Sequence, residues 1–135
     1  MPHATISDAE WGVMRALWDA GETGLASSEV VAAVAPDRDW SPKTVKTLLS
    51  RLVKKGAVAA DADADNPREY RYRATIAQSD SQRRETRSFV ERVFGGATRP
   101  MLAHLVEEGI TEDEARELRK LLDKRLDDTR EGGRR

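Results

Sequence analysis

Apolar residues in the first half of the chain recur at the spacings of three short helices, then switch to the period of a strand pair. Ser7-Asp8-Ala9-Glu10 reads as a capping box, in which Ser7 accepts from the Glu10 backbone N–H and the Glu10 side chain returns a bond to Ser7. It predicts a helix from about Asp8 to Asp19, with Trp11, Met14, Leu17 and Trp18 on one face and Gly21 as the stop. Leu25-Ala26 has room only for a very short strand. Ser27 or Ser28 then caps a second helix, Glu29 to Ala35, with Val30, Val31 and Val34 facing inward and Pro36 ending it. Ser41 and Pro42 are the clearest local signal. Serine is a good N-cap, and proline at the first helical position loses an N–H that would have no partner there. The third helix runs to about Lys55, buries a stripe of Val45, Leu48, Leu49, Leu52 and Val53, and stops at Gly56.

Beyond Gly56, residues 57–60 form a weak strand and residues 61–68 an acidic turn region punctuated by Asn66-Pro67. Tyr70-Arg71-Tyr72-Arg73 alternates with period two, a strand signal. Three helices followed by a two-stranded hairpin is the order of a winged helix-turn-helix. The remainder reads as helical: about Gln78 to Phe94, ended by Gly95-Gly96; about Arg99 to Glu108, with Pro100 at its start and Gly109 at its end; and a last helix capped by Thr111-Glu112-Asp113-Glu114 that runs to about Asp127. The expected fold is mainly α with a small β-wing. A winged-helix domain spans 1–76, a helical dimerisation domain 77–127 and a disordered tail 128–135.

Composition narrows the chemistry. Hydrophobic residues make up 39% of the 135 and charged residues 35%, which leaves a modest core and many exposed helix faces, so self-association is expected. The absence of cysteine excludes disulfides, thiolate metal sites and cysteine nucleophiles, and fits a reducing cytoplasm. No apolar run approaches the ~20 residues that cross a bilayer, and the first five residues lack the pattern of a signal peptide. Membrane insertion is therefore not expected. His3 sits in a loose end. His104 lies beside an apolar stripe, where a structural role outweighs a metal site shared with Glu107 and Glu108. Gly95-Gly96 lacks the lysine and hydroxyl residue of a phosphate loop. No Ser/His/acid set is evident, so neither an enzyme nor a cofactor is expected.

The net charge of −1 hides a basic island. Residues 1–40 carry −5, residues 41–73 carry +4, and residues 74–135 balance. No acid occurs from Trp40 to Ala60. The polar face of the third helix presents Lys43, Thr44, Lys46, Thr47, Ser50, Arg51 and Lys54. Lysine donates to guanine, threonine bonds a base edge or touches a thymine methyl, and the remaining cations neutralise phosphate. Base contact falls to the N-terminal residues Lys43, Thr44, Lys46 and Thr47. Phosphate contact falls to Ser41, Ser50, Arg51 and Lys54, with Lys55 nearby, and to Arg68, Arg71 and Arg73 of the wing. Competing readings accompany each feature. Trp11 and Trp18 are either stacking groups or, more commonly, core aromatics. Tyr70 and Tyr72 either stack single-stranded bases or pack the wing onto the body. A basic helix face is often only a solvated surface.

Three apolar stripes mark the C-terminal half: Phe89, Val90, Val93 and Phe94; Met101, Leu102, Leu105 and Val106; Leu118, Leu121 and Leu122, with Leu126 beyond. They give each other too little cover to close a core, so a homodimer is expected. Packing against the winged domain is the alternative. Two heads joined in this way meet half-sites ~34–36 Å apart or a multiple of that.

Trp11-Gly12-Val13-Met14 with Leu17-Trp18, the run from Asp39 to Gly56, Tyr70-Arg71-Tyr72, Ser88 to Gly96, Leu105 to Glu108 and Glu114 to Leu122 together strongly resemble the penicillinase-repressor family, the BlaI/MecI/CopY group. The resemblance covers nearly all of the chain except its ends. It implies homodimers that hold palindromic double-stranded DNA operators through winged-helix heads and pair through C-terminal helices. It also implies relief by proteolysis set off by a membrane-linked sensor, with the matching cleavage position at Ser88-Phe89; the best-known members carry Asn where Ser88 stands. The copper-responsive branch uses a cysteine-rich motif that this chain lacks. The expected function is a sequence-specific repressor that occludes the polymerase. The rival is a winged-helix interaction module that docks an acidic partner. A small-ligand sensor is a third reading, without a distinct polar cluster to support it.

Overall fold

The structure is a computed structural model that describes residues 5–66 and 68–132. His3, Pro67 and the last three residues of the expected tail lie outside the described residues. Two compact units divide the chain, Met1–Gln82 and Arg83–Arg135.

In the first unit, α1 (Asp8–Ala20) starts with the expected reciprocal cap. Ser7 Oγ accepts from Glu10 N at 3.2 Å, and Glu10 Oε1 accepts from Ser7 N at 2.8 Å. One 3₁₀ turn, Gly21–Thr23, leads into β1 (Leu25–Ala26). Helix α2 (Ser27–Val34) begins earlier than the serine cap predicts. Ala26 is extended and paired in β1, so the helix starts directly after it, and Glu29 accepts from Ala26 N at 2.9 Å in place of a serine cap. Helix α3 (Pro42–Lys54) has Ser41 as N-cap and Pro42 in its first turn, as the sequence predicts. Strands β2 (Val58–Ala62) and β3 (Tyr70–Ala74) form the wing. The sheet is antiparallel in the order β1-β3-β2, and Tyr72 of β3 lies opposite Leu25 on one side and Ala60 on the other.

The core joins Val13, Met14 and Leu17 of α1, Val30 and Val34 of α2, and Val45, Leu48, Leu49 and Leu52 of α3, with Ala57 and Val58 beneath the wing. Each fully buried large side chain contributes about 1.5–3 kcal/mol relative to exposure, so this cluster dominates the stability of the unit and fixes α3 by its inner face. Two expectations are corrected here. Trp11 and Trp18 are only half-buried, with ring centroids 5.7 Å apart, and the deepest positions of α1 are Val13, Met14 and Leu17. Trp18 still packs on the core, and its Nε1 donates to the Ile76 carbonyl at 2.9 Å. Val53 leaves the α3 stripe and is 37% exposed. It stands about 80° round the helix from Val45, whereas Leu52 returns to within about 20°.

The chain continues as α4 (Gln78–Phe94), α5 (Thr98–Gly109) and α6 (Glu112–Gly132). The boundary between the units falls inside α4, past residue 76 where the sequence reading set it. Thr111 and Glu114 exchange the predicted capping bonds at 3.1 and 3.0 Å. Helix α6 extends beyond Asp127, because Asp128-Thr129-Arg130 contains neither proline nor glycine to stop it. Within the second unit Phe94 lies against Phe89 and His104, at centroid distances of 5.8 and 6.0 Å. Of the three apolar stripes only Val90 is buried. Phe94, Met101 and Leu118 are half-buried, while Phe89, Val93, Leu102, Leu105, Val106, Leu121, Leu122 and Leu126 are exposed. Among the described residues, no helix is long and apolar enough to cross a membrane.

Candidate nucleic-acid interface

With its inner face sealed by Val45, Leu48, Leu49 and Leu52, α3 turns its polar face outward. Pro42, Lys43, Lys46, Thr47, Ser50, Arg51 and Lys54 line one open groove along it. Among the described residues, none of Lys43, Lys46, Arg51 and Lys54 takes part in an ion pair. Four cations thus share one face of a 13-residue helix without an ion-pair partner among the described residues. An anionic ligand relieves their mutual repulsion on contact. The hydroxyl groups are partly engaged. Ser41 Oγ accepts from Thr44 N at 3.2 Å and lies 3.1 Å from Thr44 Oγ1, and Thr47 Oγ1 donates to the Lys43 carbonyl at 3.0 Å. Thr47 Oγ1, which only donates here, keeps both lone pairs for a further donor.

Lys55 does not join this face. Its Nζ turns back across α1 and donates to Glu10 Oε1 at 2.5 Å and to the Thr5 carbonyl at 2.8 Å. Glu10 is 1% exposed. Burial pushes the Glu10 carboxyl up, but the hydrogen bond from Lys55, those from Ser7, and the Lys55 charge together outweigh it and hold the group below its ordinary value. Sequence reading found Glu10 only as a helix cap. Its second role depends on a partner 45 residues away, for which no local pattern exists.

The wing arginines differ. Arg71 is turned into the body: Nε donates to the Thr23 carbonyl at 3.0 Å, Nη2 to the Gly24 carbonyl at 2.9 Å, and Nη1 lies 3.3 Å from Glu29 and 3.6 Å from Asp63. Arg73 is exposed and its Nε donates to Asp61 at 2.8 Å. Arg68 is exposed, and its backbone N–H donates to Asn66 Oδ1 at 3.3 Å. The two tyrosines also part, Tyr72 packing against the core and Tyr70 standing 56% exposed. Arg38 has no counterpart among the sequence expectations. Its guanidinium lies 5.1 Å from the ring centroid of Trp40, just before α3. In the second unit, Ser88 is half-buried in α4 and its Oγ accepts from Arg92 Nη1 at 2.6 Å, while Phe89 beside it is exposed. Among the described residues, no group of His, Asp or Glu is placed to hold a metal ion.

The sequence profile of the penicillinase repressor family matches residues 6–124. The methicillin resistance regulatory protein MecI of Mammaliicoccus sciuri is 34% identical over 121 residues, covering 89% of this chain and 94% of that protein. The penicillinase repressor of Bacillus licheniformis is 32% identical over 119 residues, covering 87% and 89%. Among solved structures, a mutant of MepR from S. aureus aligns with a TM-score of 0.55 at 21% identity, over 92% of this chain and 80% of that one, a likeness of fold.

Proposed function

The chain belongs to the penicillinase-repressor family, and from that premise we propose that it represses transcription by binding a palindromic operator in duplex DNA as a homodimer. The observation that carries this reading is the outer face of α3, where Lys43, Lys46, Arg51 and Lys54 line one groove with no counter-ion among the described residues. Set into the major groove, its N-terminal residues Lys43, Thr44, Lys46 and Thr47 read base edges. Ser50, Arg51 and Lys54 hold the flanking phosphates, with Ser41 at the helix start and Arg68 and Arg73 reaching from the wing. Arg71 is reassigned from phosphate contact to a brace that holds the wing to the turn before β1.

The apolar stripes of α4, α5 and α6 give a second copy its binding surface, through the exposed Phe89, Val93, Leu102, Leu105, Val106, Leu121 and Leu122 and the half-buried Phe94, Met101 and Leu118, with Val90 buried beneath them in the single chain. Tethering two heads raises the apparent affinity by about 10²–10⁴ over one head alone, so losing the dimer releases the operator. Cleavage at Ser88-Phe89, started by a membrane-linked sensor, would have that effect. Both residues lie in a regular stretch of α4, so a protease gains access only when that helix opens locally. The protein then works in the cytoplasm, where its operator lies.

Selection of genomic fragments by the purified protein at two salt concentrations tests the reading. The expected result is a palindrome whose preference survives at the higher salt. Uniform weak recovery that disappears with salt would instead favour a module that docks an acidic partner.

A further inference from the structure

Lys55 is the C-cap residue of α3, and its backbone N–H closes the helix on the Arg51 carbonyl at 3.0 Å. Its side chain makes the ion pair with Glu10 described above. Glu10 Oε1 already accepts from Ser7 N, while Oε2 is buried with no hydrogen-bond partner. Among the described residues, Lys55 is therefore the one cation paired with this nearly fully buried carboxylate. The ammonium cannot leave without stranding that charge, so the pair resists displacement. The far end of the recognition helix is thus tied to the N-terminal turn of α1.

The lever arm gives this tie its effect. Lys43 and Lys55 are separated by about 18 Å of helix at 1.5 Å per residue. A tilt of roughly 5° about the C-terminal end moves the base-reading end by about 1.5 Å, well beyond the spread of a good hydrogen-bond distance. Long flexible lysine and arginine side chains follow a phosphate through such a shift. Short contacts from Thr44 and Thr47 to base edges do not.

Resting on the repressor reading above, we infer that Glu10 and Lys55 form a positioning pair that sets operator discrimination without touching DNA. Lys55 belongs to the head's internal geometry and makes no phosphate contact.

The test uses full-length protein with three duplex-binding readouts: affinity for the duplex that wild type enriches from a random library, affinity for a scrambled duplex of the same composition, and the salt slope of each. The double variant Glu10→Gln with Lys55→Met removes both charges together and so keeps the head folded, which circular dichroism checks. Lys55→Arg is the conservative variant. The expected outcome is a fall of about tenfold or more in the ratio of enriched to scrambled affinity, with scrambled binding and its salt slope changed less than about twofold, and with Lys55→Arg close to wild type. An equal loss on both duplexes, with a salt slope smaller by about one, would make Lys55 a phosphate contact and overturn the inference. A lower melting midpoint with an unchanged ratio would reduce the pair to a stabilising contact and overturn it as well. Wild type that enriches no sequence would defeat the repressor reading itself, and this inference with it.

Discussion

Gly24 stands so close to Tyr72 that a Cβ placed on it would lie 2.5 Å from the Tyr72 carbonyl oxygen. Its φ of +68° and ψ of −173° fall in a region that essentially only glycine occupies. Gly21 has a similar backbone, φ +73° and ψ −151°, but open space around it. Alanine at Gly21 should cost about 1–2 kcal/mol from backbone strain, and alanine at Gly24 about 2–4 kcal/mol because the clash with β3 adds to it. Urea midpoints of the two variants separate the terms. Equal losses would mean that β1 and β3 do not approach this closely in solution.

Arg71 and Arg73 sit two residues apart on one strand yet predict opposite phenotypes. Truncating Arg71 to alanine strips its donors from the Thr23 and Gly24 carbonyls and should lower stability by about 1–3 kcal/mol. Arg73→Ala should leave the melting midpoint nearly unchanged and reduce the salt slope of duplex binding by about one. Paired thermal melts and salt titrations check both. A large stability loss from Arg73→Ala would refute the assignment.

Lys46→Ala should relax discrimination at one base position in each half-site by about 1–3 kcal/mol. Competition binding against single-base variants of the selected operator measures it. A loss spread evenly over all sequences would reassign Lys46 to phosphate.

Acid should reveal the Glu10 pair. Its carboxyl is held below the ordinary value of 4.5 in the folded chain, so the unfolded chain binds that proton first as pH falls. The stabilisation is complete above about pH 4.5 and is lost as pH drops through the folded value. Thermal midpoints of wild type should fall over that range, and those of Glu10→Gln should fall less. Parallel pH profiles would show that other carboxylates carry the acid sensitivity.

Leu121, 65% exposed in the single chain, is the residue of choice for testing the dimer. Leu121→Asp should shift sedimentation toward monomer at micromolar concentration and weaken operator binding by about 10²–10⁴, with the fold of the head intact. A variant that still sediments as a dimer would exclude α6 from the interface.

Much of the head was legible because its signals are short-range. Ser7 with Glu10, Ser41 with Thr44 across Pro42, and Thr111 with Glu114 are caps whose partners lie within three residues, and all three caps form. The α3 face was equally plain, since a helix converts three-and-four spacing directly into a surface. The start of α2 was misread because strand pairing of Ala26 with Arg71, far along the chain, decides it. For the same reason Arg71 and Lys55 read as free cations, when their hydrogen-bond acceptors lie 45 to 50 residues away. Val53 was misassigned through counting apolar residues without their angular position. Distance along the chain, more than any weakness of the local code, set the limit.

The bond between Arg73 and Asp61 means that the wing does not approach DNA with an empty hand. On the proposed reading, a phosphate that takes Arg73 competes for its Nε with a carboxylate that stays covalently tethered one strand away. Contact there is an exchange of anions rather than a simple gain, so its net contribution is smaller than the arginine alone suggests. The evicted group also remains ready to recapture the cation at every fluctuation. On the proposed reading the wing thus carries its own competitor for phosphate, and Asp61 would shorten the stay of the head on any sequence that α3 does not recognise.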